Sequence, residues 1–176
     1  MMNNFLVIGK IEEARHSADI ILKSAGEITN RLSDIVWVVN PDRDSLLKLF
    51  DRLEEYAKDM ASFHKIEVQT NIPETITALT LEMEVRRNIY LFCKEAINNA
   101  VKYSKATLLC LTIKEKEKLL EIIVQDNGMG FNVANVKRGN GLESMQKRAN
   151  EINGQFNIYS NENEGTTISL ICKITH

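Results

Sequence analysis

The chain is poor in cysteine, proline and tryptophan, with three, two and one of these residues among 176. Cys93, Cys110 and Cys172 stand singly inside apolar patterns, without a CxxC pair. This spacing argues against a zinc or redox centre and predicts reduced core thiols. No apolar run approaches the length of a membrane span. We therefore expect a cytoplasmic chain, or the cytoplasmic part of a membrane-bound protein.

A strong charge of either sign is also missing, since the net charge is -2 at pH 7. This balance argues against non-specific binding to nucleic acid or to an anionic membrane, so we expect neither as a partner. The remaining composition, with 44% apolar and 26% charged residues, is that of a globular protein. Its length leaves room for one ordinary domain and one additional element.

The N-terminal part carries an unbroken heptad pattern of apolar side chains. Its members, at steps alternating four and three, are Val7, Ile11, Ala14, Ala18, Ile21, Ala25, Ile28, Leu32, Ile35 and Val39. The pattern predicts a long coiled-coil-like helix and a homodimer through it; a single long surface helix is the plainer alternative. Asn40-Pro41 ends the helix, because the residue before proline avoids the helical region. We therefore expect a dimerisation helix in residues 1–41 and a second domain in residues 42–176.

The second domain alternates between helical and strand-like patterns. Helices are predicted at residues 45–63 (with Asp44 as N-cap), 81–103 and from 141 to about 153, and strands at 66–70, 107–114, 119–125, 155–159 and 166–173. A charged turn, Glu115-Lys116-Glu117, joins two of the strands. This order predicts an α+β fold with its helices on one side of a sheet.

Three polar residues of the predicted helix 81–103 are spaced four and three apart: Glu95, Asn99 and Lys102. This spacing places them on one flank of the helix. A carboxylate, an amide and an ammonium in this arrangement suit a metal-nucleotide, because they offer oxygen ligands for Mg²⁺ and a positive charge for phosphate. Taken alone, a polar stripe of this kind is more often a solvated face.

A glycine-rich loop follows the strand 119–125. Asp126 ends the strand, and Gly128 and Gly130 follow it, which lets the backbone pass close to a ligand. A carboxylate at a strand end can accept a hydrogen bond from an exocyclic amine such as that of adenine. Further on, Gly139 and Gly141 open a helix, whose free N–H groups favour phosphate.

Four segments in this order resemble the sequence boxes of a known ATPase superfamily. They are residues 94–103 (KEAINNAVKY), 126–131 (DNGMGF), 139–142 (GNGL) and 165–168 (GTTI). They resemble the N box, the two glycine boxes and the Gly-Thr strand of the GHKL ATPases. Within that superfamily the chain is most similar to the sensor histidine kinases of two-component systems. Residues 141–149 are typical of their shorter-lid members, as are residues 33–37 followed by Asn40-Pro41.

The resemblance implies a two-layer α/β sandwich with a mixed sheet, the Bergerat fold, and a site for ATP and Mg²⁺. It implies that Asn99 coordinates Mg²⁺, that Lys102 contacts phosphate oxygens, and that Glu95 orients or deprotonates the attacking group. Asp126 would bind the adenine amine, supported by Thr166. The remaining residues that the resemblance assigns to the nucleotide are Gly128 and Gly130 in the pocket floor, Gly139 and Gly141 at the lid, and Leu142.

A histidine kinase also implies a phosphoacceptor histidine on a helical hairpin and a response regulator as partner. Of the three histidines, His16 is followed by Ser17-Ala18 and stands on the expected second hairpin helix, so we interpret it as a surface residue. We therefore expect the chain to begin on that second helix and to lack the phosphorylated histidine. A break in the helix near Gly9 is the alternative, in which case residues 1–8 would end the first helix.

Two departures and two rival functions complete the expectations. Tyr103 stands where many relatives have His, and the lid between Phe131 and Gly139 is short, which predicts modest nucleotide affinity. An anti-sigma-factor-type serine kinase shares the boxes but lacks the long helix. A non-catalytic nucleotide-sensing dimerisation module is the second rival, against which the intact Glu95, Asn99 and Lys102 argue.

Overall fold

The computed structural model describes residues 2–39, 45–73, 76, 81–133 and 140–174. The chain divides into two compact units, Met1–Asn40 and Pro41–His176. Within the described ranges, no helix is both long and apolar enough to cross a membrane.

The first unit is one helix, α1, over Met2–Val39. It continues without a break past Gly9 and Gly26, so the alternative of a break in the helix near Gly9 is wrong. At about 1.5 Å per residue, α1 extends roughly 57 Å. The described heptad side chains Ile11, Ile21 and Leu32 are exposed. A helix of this length therefore presents an apolar stripe to its surroundings.

The second unit begins with α2, over Leu46–Ser62. One face is apolar and fully buried, with Leu46, Leu49, Phe50, Leu53, Ala57 and Ala61. Ser45 occupies the N-cap position, so the prediction of Asp44 as N-cap is wrong by one residue; Asp44 itself lies outside the described residues. The long helix α3 spans Met83–Tyr103 and packs against both α2 and α4, which spans Asn140–Glu151.

Within the described residues, five strands form one mixed sheet. They are β1 (Glu67–Asn71), β2 (Leu108–Lys116), β3 (Leu119–Asp126), β4 (Gln155–Ser160) and β5 (Thr166–Lys173), in the order β1-β2-β3-β5-β4. Only the β1–β2 pair is parallel. The turn between β2 and β3 lies at Glu117 and Lys118, later than the predicted Glu115-Lys116-Glu117. Both residues have a left-handed φ, 53° and 66°, as a tight hairpin turn requires.

The core lies between one face of this sheet and the helices. Alternate residues of β2, β3 and β5 are buried, among them Leu111, Ile122 and Leu170. Against them packs the apolar face of α3, which includes Ile89 and Phe92. The chain therefore has the predicted α+β fold. The period-2 strands place their inward residues directly under the helix that carries Glu95 and Asn99.

Candidate functional site

A cavity of about 480 Å³ lies between α3, the strands β3 and β5, the loop after β3 and the first turn of α4. Its lining residues are Glu95, Ala96, Asn99, Ala100, Tyr103, Ser104, Val124, Asp126, Met129, Gly130, Phe131, Gly141, Leu142, Ile158, Thr166 and Ile168. The volume falls within the roughly 300–1,000 Å³ that small-molecule sites occupy. The walls are mainly apolar, with polar side chains concentrated in two places.

The first polar place is the middle of α3, where Glu95 and Asn99 line the cavity one turn apart. The small residues Ala96 and Ala100 stand beside them and leave the space open. Lys102, the third residue of the predicted stripe, is exposed in the last turn of α3 and lies outside the set of residues that line the cavity. The carboxylate and the amide are thus brought together, and the ammonium is not.

Contacts on the other flank of α3 fix its rotation. The Tyr56 hydroxyl on α2 donates to Asn98 Oδ1 at 3.0 Å. The Lys94 ammonium lies 4.6 Å from the centre of the Tyr56 ring, within the range of a cation–π contact. Because Lys94 and Asn98 face α2, the adjacent residues Glu95 and Asn99 are turned toward the cavity.

The second polar place is the end of β3. Asp126 is 5% exposed and stands opposite Thr166 of β5 in the sheet register. The Gly128 N–H donates to Asp126 Oδ1 at 2.8 Å. Burial raises the pKa of Asp126, and hydrogen bonds from the backbone of Gly128 and Thr166 and from the Ser104 side chain oppose this rise. The result is a buried carboxylate that lines the cavity.

The glycine loop is held tightly between α3 and the β4–β5 turn. A Cβ at position 128 would overlap the Ser104 carbonyl oxygen, which accepts from the Met129 N–H at 2.7 Å. Gly130 has a left-handed φ of 56°, and a Cβ there would overlap the Asn161 carbonyl oxygen. Both glycines are therefore required by the close approach of protein backbone, and the expected close approach to a ligand stays a prediction. Gly130 lines the cavity, whereas Gly128 is not among the residues that line it.

The start of α4 closes the other side. A Cβ on Gly141 would overlap Glu95 Oε1 and would stand 3.5 Å from Asn99 Nδ2. Gly141 and Leu142 both line the cavity, whereas Gly139 lies outside the described residues. The first turn of α4 is thus placed directly over the carboxylate of Glu95, and a side chain at position 141 would displace that carboxylate from this position.

The first polar place is at Glu95, and the second lies near Ser104, which faces Asp126. At 1.5 Å per residue along the helix, Glu95 and Ser104 are roughly 13 Å apart. One end offers a buried acceptor, Asp126, and the other offers side-chain oxygens beside a helix N-terminus. A nucleotide with its base at Asp126 and its phosphates near Asn99 fits this arrangement. Mg²⁺ also fits, because it usually takes one or two protein oxygens and fills its shell with phosphate oxygens and water.

Two residues that line or support the site, Ser104 and Ser160, were not identified from the sequence. Ser104 ends α3, contacts the glycine loop through its carbonyl and faces Asp126. Ser160 ends β4 and hydrogen bonds to Phe131 and Thr166. One signal was available for Ser160: in β4 it follows Phe156 and Ile158 at a spacing of two, on the inward face. A polar residue at such a position needs a partner.

The chain thus combines an α+β fold, in which helices cover one face of a mixed sheet, with a glycine-rich loop between cavity and strand. The family model described as "Histidine kinase-, DNA gyrase B-, and HSP90-like ATPase" matches residues 84–176. This match covers more than half of the chain, which therefore belongs to that family.

Individual relatives agree with this membership. The sensor protein VraS of Staphylococcus saprophyticus is 31% identical over 119 residues, covering 67% of this chain and 34% of VraS. The signal transduction histidine-protein kinase/phosphatase DegS of Brevibacillus brevis is 27% identical over 169 residues, covering 94% of this chain and 42% of DegS. The chain thus spans well under half the length of either relative.

Solved structures support the fold. The histidine kinase AdeS of Acinetobacter baumannii superposes with a TM-score of 0.66 at 14% identity, covering 88% of this chain and 82% of the AdeS chain. The catalytic domain of the histidine kinase ThkA superposes with a TM-score of 0.63, at 14% identity and over 74% of this chain and 94% of the ThkA chain. The predicted two-layer α/β sandwich with a mixed sheet is confirmed.

Proposed function

We propose that this chain is the ATP-binding catalytic region of a two-component sensor histidine kinase. It would transfer the γ-phosphate of ATP to a histidine on a dimerisation helix, from which a response regulator receives it. The observation that carries this proposal is a cavity lined by Asp126 and Thr166 at one end and by Glu95 and Asn99 at the other. The kinase names of the relatives support the reaction class.

Each polar residue has a proposed role in this reaction. Asp126 accepts a hydrogen bond from the adenine amine, and Asn99 ligates Mg²⁺. Glu95 orients or deprotonates the attacking imidazole. Phosphoryl transfer depends mainly on positioning and on neutralising charge, so these roles need geometry more than covalent chemistry. Lys102 is proposed to reach phosphate oxygens with its flexible side chain from the last turn of α3.

Nucleotide binding tests the site directly. The chain is titrated with a non-hydrolysable ATP analogue, with Mg²⁺ and with a chelator. Asp126→Asn should weaken binding by roughly 10–100-fold, since a hydrogen bond to a charged group contributes about 1.5–3 kcal/mol. Asp59→Asn, on the exposed face of α2, is the matched control and should bind as the wild type does. Unchanged binding in the Asp126 variant would refute the adenine assignment.

The variant Asn99→Ala distinguishes the affinity that Mg²⁺ contributes from the affinity that the base contributes. If Asn99 ligates Mg²⁺, this variant should lose the part of the affinity that Mg²⁺ adds and keep the affinity measured with chelator. An equal loss under both conditions would show that Asn99 contacts the nucleotide or supports the fold instead.

The kinase reaction needs a phosphoacceptor helix, which is added in trans as a peptide or a hairpin domain. Phosphohistidine should form with wild-type chain and ATP. Glu95→Gln should bind ATP normally and transfer phosphate about 10²–10⁴ times more slowly, the usual contribution of a positioned general base. ATP binding without transfer to any added hairpin would favour the nucleotide-sensing module over the kinase.

We also propose that α1 carries self-association. Its heptad residue Ile21 is 67% exposed, and Ile11, Ile28 and Leu32 of the same stripe are exposed as well. An apolar stripe of this length favours a helical partner. Ile21→Glu should shift the chain toward monomer in sedimentation equilibrium. Ile20→Glu is the matched control, because Ile20 is 52% exposed but lies off the heptad stripe. A wild-type chain that stays monomeric at high concentration would overturn this proposal.

A further inference from the structure

Ser160 is the last residue of β4 and is 5% exposed. Its hydroxyl has three partners. The Phe131 N–H donates to Ser160 Oγ at 2.9 Å, and Ser160 Oγ donates to the Gly165 carbonyl oxygen at 3.0 Å. The third partner is Thr166 Oγ1, also at 3.0 Å. The hydroxyl thus joins the glycine loop, the β4–β5 turn and the first residue of β5.

The direction of the Ser160–Thr166 bond follows from counting hydrogens. A serine hydroxyl has one hydrogen to donate and two lone pairs to accept with. Phe131 N–H can only donate and the Gly165 carbonyl can only accept, so the single hydrogen of Ser160 goes to Gly165. Gly165 is buried, and a buried carbonyl left without a donor is costly. All three partners are satisfied only if the Thr166 hydroxyl donates to Ser160.

This direction has a consequence for the cavity, which Thr166 lines. With its hydrogen committed to Ser160, Thr166 Oγ1 offers only lone pairs to a ligand. Asp126, opposite Thr166 in the register, is also an acceptor toward the cavity. Two acceptors side by side favour a base edge that carries an amine. A purine with an oxygen at the same position would meet acceptor against acceptor.

We propose that Ser160 is a specificity-determining positioning residue, which holds the Thr166 hydroxyl as an acceptor and so selects a 6-aminopurine over a 6-oxopurine. This inference rests on the proposed nucleotide site and assigns the selection to a residue that need not touch the base. Without Ser160, the Thr166 hydroxyl is free to rotate and donate to an oxygen.

ATP and ITP form the matched ligand pair, since their bases differ in the group at position 6 and in the hydrogen that the 6-oxo base carries on N1. Affinities for both are measured by calorimetry for wild type and for Ser160→Ala, Thr166→Val and the double variant. Ser160→Ala is expected to lower the ATP-to-ITP affinity ratio by roughly tenfold, the equivalent of one net hydrogen bond. Thr166→Val should also lower the ratio, and the double variant should add nothing further because both act through one hydroxyl.

Ser169→Ala is the protein control. Ser169 is buried on β5 and accepts from Asn157, away from the cavity, so its loss should leave the ratio unchanged. Ser160→Cys replaces the alanine variant if that variant does not fold, because sulfur fills the space but accepts only weakly. The cysteine variant should lower the ratio in the same direction.

The outcomes are distinct. Equal weakening of ATP and ITP in the Ser160 variants would overturn the inference and make Ser160 a structural residue only. A wild-type chain that binds both nucleotides equally would overturn it as well, while leaving the nucleotide site in place. A wild-type chain that binds neither would remove the proposed function itself, and the inference with it.

Discussion

Gly128→Ala is expected to destabilise the second unit strongly, although it adds only one methyl group. A Cβ at position 128 would overlap the Ser104 carbonyl oxygen and would stand 2.6 Å from Ser104 Cβ and 2.7 Å from Ser104 C. These atoms belong to the end of α3 and cannot rotate away as a long side chain would. The loop must therefore move, which disturbs the Met129–Ser104 hydrogen bond and the bond from the Gly128 N–H to Asp126.

The magnitude follows from these two effects. Overpacking a well-packed site costs about 1–3 kcal/mol. Each disturbed hydrogen bond adds about 0.5–1.5 kcal/mol. The free energy of unfolding should thus fall by roughly 2–6 kcal/mol, which corresponds to a Tm lower by roughly 8–24 °C at about 4 °C per kcal/mol. Thermal unfolding followed by circular dichroism, with ATP-analogue binding at low temperature, measures both consequences.

Gly141→Ala is the control at the same cavity. Its Cβ would overlap Glu95 Oε1, the free end of a flexible side chain, and would stand 3.3 Å from Glu95 Cδ. Rotating Glu95 costs about 0.5–1.5 kcal/mol, and alanine returns up to about 1 kcal/mol of helix propensity in α4. The Tm of Gly141→Ala should stay within a few degrees of the wild-type Tm, while its rate of phosphate transfer falls. A Gly128→Ala variant that melts with the wild type would refute the reasoning.

Three further predictions concern other parts of the chain. Gly26→Ala should stabilise α1 by up to about 1 kcal/mol in thermal melts, since nothing lies within 4 Å of the added Cβ; a lower melting temperature would contradict it. ATP affinity should fall as the pH drops through the raised pKa of Asp126, because the proton and the adenine amine compete for the same carboxylate. Asp126→Asn should abolish this loss of affinity at low pH. If the loss persists in that variant, the group that titrates is not Asp126. In the folded chain Cys110 should react with a thiol reagent well before Cys93 and Cys172, because burial raises the pKa of both and takes that of Cys172 to about 11. Rapid labelling of Cys93 would show that the core opens.

Periodicity predicted most of the fold. The heptad pattern placed α1 and its end before Pro41, and the alternation of apolar residues placed the strands to within two residues. These signals are local, because burial on one face of a helix or strand repeats at 3.6 or 2 residues. The hairpin turn was predicted too early in the sequence. Glu117 and Lys118 adopt a left-handed φ, and charged residues give no sequence signal for this conformation.

The candidate site was only partly predictable, because much of it depends on contacts between segments distant in sequence. The spacing of Glu95, Asn99 and Lys102 describes one flank of a helix, but it does not say where the cavity ends. Near the C-terminus of α3 the cavity follows Ala100 and Tyr103 rather than Lys102. Ser160 acquires its role only because β4 pairs with β5 and the glycine loop passes beside it.

The two ends of the cavity are built from different kinds of atoms, and this difference governs how each responds to change. At the base end the contacts of Gly128, Gly130 and Gly165 involve backbone atoms of neighbouring segments. A substitution at these glycines therefore lowers the stability of the fold. At the phosphate end a Cβ on Gly141 would overlap only the carboxylate of Glu95, which can rotate, and would stand 3.5 Å from Asn99 Nδ2. A fixed base end and an adjustable phosphate end suit a reaction in which the base must be recognised before the attacking group is aligned. We therefore expect a glycine substitution at the base end to alter Tm and Kd together, and Gly141→Ala to lower the transfer rate with little change in Tm.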